Sequence, residues 1–377
     1  MPTMKLYCST GFGLEAVVKR ELIDLQCPIL EVRDGAVVTE GDWHTIALLN
    51  VHLRCSERVW WLVDEFPATT FDMLYDAVKA IPWRDLVQID SNIPVSGKSI
   101  KSVLSSVPNC QKITKKAIVD ALLLDPNVTS LPETGARFPV SVHLLRDVVS
   151  ILIDTSGVGL HKRGYRLDQG DAPLKETLAA ALIYLSYFGD DRVLYDPFCG
   201  SGTIAIEAAM MSKHQAPGLY RDFVSSNWPQ MKGQYDTVKQ AAQDVIITKP
   251  VHIFASDDDA NVIAVAIRNA TRARVFDVIR FQNKDARELS FEEEFPVIIT
   301  NPPYGERLQD QASMRQLMKE WLPMVQAATS ASLYVLTSEP QLERLWDKPA
   351  SKRRVLFNGP IKTTFYQWYG PKPNKKT

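Results

Sequence analysis

The segment Tyr195-Asp-Pro-Phe-Cys-Gly-Ser-Gly-Thr203 constrains this 377-residue chain more than any other. It joins a short apolar run, 193–196, to a helical pattern over 203–211. A strand, a glycine-rich turn and a helix in that order form the opening unit of a doubly wound sheet. The alternation continues with strand-like 251–256, helical 260–273, strand-like 279–282 and 297–300, a helix near 314–327, and strand-like 332–336. This predicts an α/β domain with a parallel sheet covered by helices on both faces. Two late strands, 353–357 and 362–368, flank Asn358-Gly359-Pro360 and predict a terminal antiparallel hairpin.

The first half reads differently. Strand-like segments at 5–9, 54–63, 93–95 and 140–144 alternate with helical spacing at 13–25, 71–80 and 113–124. That is an α+β pattern of one or two small domains. Residues 156–172 are glycine-rich and basic and read as the connection between halves.

Composition narrows the class. Lys and Arg number 43 against 44 Asp and Glu, a net charge of −1 that excludes a polycation but not a local basic groove. Cys8, Cys27, Cys55, Cys110 and Cys199 form no CxxC pair, which argues against a disulfide framework or structural zinc, and the six histidines lack metal spacing. No metal is expected. The start lacks a signal-peptide core, and the longest apolar runs, near 148–153 and 179–185, are too short for a bilayer. The expectation is a soluble cytoplasmic protein with no membrane partner.

Three strand ends carry ligand chemistry. Gly200 and Gly202 allow close approach to a helix N-terminus, but no Lys follows, which argues against a nucleotide triphosphatase. Asp257 follows the next strand and suits two ribose hydroxyls, while helix capping is the alternative; Asp257 is assigned to the ligand and Asp259 to the cap. Asp285, after the third strand, suits an adenine amino group.

The fourth strand end sets the reaction. Thr300-Asn301-Pro302-Pro303-Tyr304-Gly305 is a rigid turn that would hold an Asn amide oxygen and a Pro carbonyl as two acceptors. A base amine is planar because its lone pair is delocalised. Two acceptors on its hydrogens favour the tetrahedral nitrogen that attacks a methyl sulfonium. Tyr304 would stack on the base.

This motif series resembles class I S-adenosylmethionine-dependent amino-methyltransferases. Leu160-His-Lys-Arg-Gly-Tyr-Arg166, Ala216-Pro-Gly-Leu219 and Asn301-Pro-Pro-Tyr-Gly-Glu-Arg-Leu308 are similar to the THUMP-containing 23S rRNA guanine-N2 methyltransferases. Gly13-Leu-Glu15 and Leu53-Arg-Cys-Ser-Glu-Arg-Val59 extend that resemblance to nearly the whole chain. It implies a ferredoxin-like segment over 1–65, a THUMP domain over 66–158, a linker over 159–172 and a Rossmann-like methyltransferase domain over 173–377. It implies S-adenosylmethionine as cofactor, held by Asp196, Pro197, Cys199, Gly200, Gly202, Thr203, Asp257, Asp285 and Ala286. Lys175 and Thr177, in Pro173-Leu-Lys-Glu-Thr177, would close over its methionine end. Asn301, Pro302 and Tyr304 would be catalytic. Ala255 replaces a common glycine, and Asp258 replaces an apolar residue.

The partner implied is RNA, either 23S rRNA or a large-subunit assembly intermediate. Lys98, Lys101, Lys112, Lys115 and Lys116 cluster as phosphate contacts require, and Lys162, Arg163 and Arg166 add charge in the connection. In the long segment 212–250, Tyr220, Phe223, Trp228 and Tyr235 lie among Lys213, Arg221 and Lys232. They would either stack on RNA or pack the insert onto the sheet; packing is preferred for Trp228, and Tyr220 is open. Cys199 reads as a small loop residue, not a nucleophile.

Competing functions make different demands. Adenine-N6 methylation of DNA or RNA uses the same tetrapeptide logic. A non-catalytic RNA-binding or assembly factor predicts a damaged loop or tetrapeptide, and both are intact. A dehydrogenase wants Gly-x-Gly-x-x-Gly, whereas Gly200-Ser-Gly202-Thr-Ile-Ala205 ends in alanine.

Overall fold

A computed structural model describes residues 3–124, 128, 130–166, 174–189, 192–250, 252–303 and 308–372. The chain forms two compact units. Unit one holds a seven-stranded sheet of β1 (Met4–Thr10), β2 (Ile29–Arg33), β3 (Ala36–Gly41), β4 (Ser56–Pro67), β5 (Val95–Ile100), β6 (Val140–Leu145) and β7 (Val148–Asp154). Their order is β2-β3-β1-β4-β7-β6-β5. The 12-residue β4 pairs with β1 on one side and β7 on the other, so both expected N-terminal domains share one sheet.

Unit two is the expected doubly wound sheet. Its strands are β8 (Leu194–Asp196), β9 (Ile253–Asp257), β10 (Ile279–Asn283), β11 (Val297–Thr300), β12 (Ser332–Thr337), β13 (Lys352–Asn358) and β14 (Ile361–Trp368). The order is β10-β9-β8-β11-β12-β14-β13, with β8 to β12 parallel and the β13–β14 hairpin antiparallel at the edge. Parallel strands are buried on both faces, which is why β8, β11 and β12 are buried at every position.

Several local expectations change. The β2–β3 hairpin and the helix Trp43–His52 were not legible from periodicity. That helix opens with a capping box in which Asp42 Oδ1 accepts from Thr45 N (3.0 Å) and Thr45 Oγ1 accepts from Asp42 N (3.2 Å). The strand expected at 93–95 is Val95–Ile100. The helix expected at 113–124 begins at Val107, with Pro108 in the first turn, where its missing N–H costs nothing.

The insert after the helix Thr203–Ser212 is divided. Residues 221–240 belong to unit one. There Trp228 stacks on Phe138 at 4.3 Å and donates Nε1–H to the Arg137 carbonyl (2.8 Å), while Phe223 stacks on Tyr235 at 5.0 Å. Trp228, Phe223 and Tyr235 are buried, so they pack rather than bind RNA, and they pack in unit one rather than on the sheet of unit two. Tyr220 remains 42% exposed in unit two, with the Arg274 guanidinium 4.1 Å from its ring. Arg274 precedes β10, so this pair lies at the amino edge of the parallel strands, away from their ligand-binding ends.

Candidate active site

The site is built at the carboxyl ends of β8, β9 and β11, which are neighbours in the sheet. Asp196 ends β8 and is almost fully buried. Its Oδ1 accepts a 2.8 Å hydrogen bond from the Thr300 hydroxyl at the end of β11. Its Oδ2 is buried with no hydrogen-bond partner among the described residues. Burial pushes this carboxyl up to about 7; Thr300 and the Phe198 amide oppose the rise, and Asp257 adds to it.

The loop after Asp196 is shaped by two glycines with different reasons. Gly200 has φ +53, and a Cβ there would meet nothing within 4 Å, so the space above it is open. Gly202 has φ +82, and a Cβ would come within 3.1 Å of Ala266 Cβ. Gly202 therefore permits close packing against the helix Ala260–Arg272, not ligand approach. Cys199 is buried, its amide donates to the Ser256 carbonyl (2.9 Å), and burial pushes its thiol up strongly. It is not a nucleophile in this state. Thr203 begins the loop helix and is also buried.

Asp257 ends β9 and fastens the loop. Its Oδ2 accepts from Gly200 N (3.0 Å) and its Oδ1 from Asp259 N (3.2 Å). Burial raises its pKa, against these two amides. Asp259 is the N-cap, accepting from Asn261 N (2.7 Å). Asp285 caps the turn Ala286–Glu288 through Arg287 N (2.8 Å) and grips the Arg287 guanidinium at 2.5–3.1 Å, which lowers its pKa. Arg287, tied onward to Glu320 at 2.5 Å, was not anticipated. Ala286 is buried beside it.

Asn301 is partly exposed after β11, Pro302 is buried and Pro303 exposed. Tyr304 and Pro173 lie outside the described residues. Lys175 takes the N-cap position of the buried helix Glu176–Tyr184, and Thr177 is buried within it. A cavity of about 320 Å³ adjoins the strand ends, with Asp196, Pro197, Ser256 and Lys284 in its wall. Gly200 and Asp257 are not among its walls, so it flanks the loop rather than spanning it.

The charged connection is corrected. Arg163 is buried and binds Glu207 through two 3.3 Å contacts, with Tyr165 hydroxyl also 3.3 Å from that carboxylate. Arg166, whose side chain is 8% exposed, donates to the Leu174 carbonyl (3.2 Å) and the Thr203 hydroxyl, with Glu176 at 3.7 Å. Neither guanidinium is available to RNA phosphates. Arg166 instead ties the upstream helix entry to the first residue of the loop helix. The sequence signal was Glu207, a lone acid in the apolar helix Thr203–Ser212. Lys162 is exposed.

In unit one, Lys98 is exposed on the edge strand β5 and Lys101 follows it with φ +52. Lys112 and Lys116 are exposed one helical turn apart, and Lys116 lies 5.5 Å from the Tyr75 ring centroid. Lys115 departs from the expected shared face. Its ammonium donates to the Ile93 carbonyl (2.9 Å) and pairs with Glu133.

Among the described residues, no group of three His, Cys, Asp or Glu could hold a metal, all five cysteines are free, and no helix is long and apolar enough to cross a membrane. The donor set suits an organic ligand instead. An orphaned buried carboxyl oxygen at Asp196 suits an ammonium, an acid at Asp257 suits a sugar, and the space beside Gly200 is open.

Three family models match the chain. Residues 5–60 match an RlmL ferredoxin-like domain, 68–154 a THUMP domain, and 163–367 a domain described as RMKL-like, methyltransferase. Over the whole chain, the sequence is 43% identical to "Putative RNA methyltransferase YpsC" of Bacillus subtilis, covering 99% of it. Solved structures that share the fold include two named as methylases or methyltransferases. One, named a predicted N6-adenine-specific DNA methylase from Listeria monocytogenes, is 44% identical with a TM-score of 0.94, covering 98% of this chain and 97% of that one. The other, SMU.472, a putative methyltransferase complexed with SAH, is 36% identical with a TM-score of 0.93, covering 99% and 100%.

Proposed function

Because this chain belongs to the RMKL-like methyltransferase family, with an RlmL-type ferredoxin-like domain and a THUMP domain before the catalytic one, we propose that it methylates an exocyclic base amine of RNA, namely guanine N2 of 23S rRNA. It is an S-adenosylmethionine-dependent methyltransferase. One observation carries the proposed transfer. The Thr300–Asp196 hydrogen bond ties the strand that presents Asn301 and Pro302 to the strand that presents the glycine loop. This supports a reading in which the acceptor and donor sites belong to adjacent strand ends.

When bound, S-adenosylmethionine supplies an electrophilic methyl group on a sulfonium. Asp196 would hold its ammonium and Asp257 its ribose, with Asp285, Ala286, Lys175 and Thr177 completing the proposed cofactor set around the loop 197–203. The Asn301 amide oxygen and the Pro302 carbonyl accept the two N–H bonds of the target amine. This draws the nitrogen lone pair out of ring conjugation and toward the methyl carbon. Catalysis is then mainly positioning, and the proton leaves after the methyl arrives, so no strong base is needed. Tyr304 supplies the stacking face for the base.

The THUMP match over 68–154 favours RNA, with Lys98, Lys101, Lys112 and Lys116 as phosphate contacts. The name of the Listeria neighbour favours adenine N6 as a second reading, which the same turn would serve. Mass spectrometry of rRNA and DNA nucleosides from a deletion strain separates them. Loss of N2-methylguanosine from 23S rRNA is expected; loss of N6-methyladenine instead would replace the guanine assignment.

A further inference from the structure

The element Gly11–Val18 comes from the start of the chain, yet belongs to unit two, where it meets the terminal hairpin. Gly13 has φ +88, and a Cβ there would come within 3.3 Å of the Val355 carbonyl on β13. Both Glu15 carboxylate oxygens accept from the Gly13 amide, at 3.0 and 3.2 Å, which fixes the turn. Phe12 is consequently held out, 61% exposed, with its ring edge-on to Phe357 at 6.4 Å. Phe357 is itself 41% exposed.

The surroundings are cationic. Residues 351–368 contain Lys352, Arg353, Arg354 and Lys362 and no acid, in a chain of net charge −1. Lys362 is exposed directly across the hairpin from Phe357, so the two side chains share one face. Val355, 48% exposed, lies two residues back on that face. Arg353 is held by Glu343 at 3.0 Å, which partly offsets its charge.

Strand register places this surface at the working end of the sheet. Thr300 is level with Val335, Val335 with Tyr366, and Tyr366 with Arg353. Phe357 lies four residues beyond Arg353 on β13, which runs parallel to β11. Standard strand dimensions set it about 13 Å above the level of Thr300 and about 14 Å to the side. The exposed aromatics therefore stand beyond the same strand ends that carry Asn301.

We propose that Phe12 and Phe357, with Lys362, form a stacking platform for unpaired nucleotides that flank the target base in the RNA substrate. This rests on the RNA reading above and adds a contact surface on the catalytic unit. Exposed aromatic faces beside cations are what single-stranded RNA recognises, the bases by stacking and the phosphates by charge.

The test uses the full chain and a fluorescein-labelled, unstructured RNA 12-mer, together with total RNA from a deletion strain as methyl acceptor. Phe12→Ala/Phe357→Ala should weaken 12-mer binding about ten-fold and raise KM for the acceptor RNA, while S-adenosylmethionine affinity stays within two-fold. Lys362→Glu should weaken binding and flatten its salt dependence. These side chains are exposed, so melting temperatures should match the parent. Unchanged RNA affinity and KM in both variants, with an active parent, would overturn the platform and leave the function standing. A parent that neither binds nor methylates RNA would overturn both. Sedimentation showing that the variants only dissolve a dimer would mark the surface as self-association and overturn the proposal.

Discussion

The Thr300 hydroxyl donates to Asp196 Oδ1 across 2.8 Å, joining the ends of two adjacent parallel strands that are 104 positions apart in sequence. One strand leads into the glycine loop and the other into the Asn301-Pro302 turn. Thr300→Val keeps the shape and removes the donor. Leaving a buried carboxyl oxygen without its partner costs about 1–3 kcal/mol. Urea unfolding should show that loss, and calorimetry should show several-fold weaker S-adenosylmethionine binding.

Asp196 should make stability depend on pH and, in its proposed cofactor role, make cofactor binding depend on pH as well. Its folded pKa, about 7, lies above the ordinary carboxylate value because burial disfavours the charge. Its contribution to stability is therefore full below the unfolded pKa and is lost as pH rises toward 7. A cofactor ammonium paired with Asp196 should reverse that preference and expel a proton. Titrations at pH 6 in two buffers of different ionisation heat should reveal the release, and Asp196→Asn should abolish it.

Asp257 fastens the glycine loop and has a proposed second role as acceptor for the ribose, and substitutions can separate the two. Asp257→Ala removes an acceptor for the ribose and also frees the amides of Gly200 and Asp259. Hydrogen bonds to a charged group are worth about 1.5–3 kcal/mol, so affinity should fall roughly ten- to hundred-fold. Asp257→Asn keeps one oxygen for these two amides and sets an NH2 against the other, so it should lower the melting temperature less than Asp257→Ala does while still binding cofactor more weakly than the parent. Equal affinity in a folded alanine variant would reduce Asp257 to a loop fastener.

Asn301→Ala should spare the cofactor and stop the reaction. By analogy with deleting one preorganised contact from a transition state, single-turnover methylation should slow on the order of 100-fold or more, with S-adenosylmethionine affinity within a few-fold. Asn301→Asp keeps an acceptor in place and should retain partial activity. Tyr304→Phe should be mild and Tyr304→Ala severe, since stacking needs the ring.

Cations that the sequence groups together as phosphate contacts should behave in opposite ways. Arg163→Ala leaves Glu207 charged and buried without its guanidinium, so it should destabilise unit two by about 3–5 kcal/mol. Lys112→Ala and Lys116→Ala should leave stability within about 0.5 kcal/mol and weaken RNA binding at low salt. A fully stable Arg163→Ala protein with weakened RNA binding would restore the phosphate role for that residue.

The doubly wound sheet was legible because local signals and the global fold agree in unit two. Strands buried on both faces must be short apolar runs, and β8, β11 and β12 are such runs bounded by glycine, proline and polar turns. The Asn358-Gly359-Pro360 turn marked the closing hairpin for the same reason. In unit one, the helix Trp43–His52 is apolar around most of its circumference, so its spacing carried little periodic signal.

The sequence alone determined where the chain turns, which acids and amides end the strands, and hence the chemistry available there. Those properties depend on near neighbours: fixed φ angles at Pro302 and Pro303, an absent Cβ at Gly200, and a cap at Asp259. Tertiary structure alone decided which charges face solvent and which unit claims a segment. Lys162 and Arg163 are adjacent, yet one is exposed and the other lies against Glu207, 44 positions away. Trp228 joins unit one because Phe138, 90 positions earlier, offers a ring face. Burial and ion pairing are set by residues distant in sequence, and desolvation then gives the same side chain opposite roles.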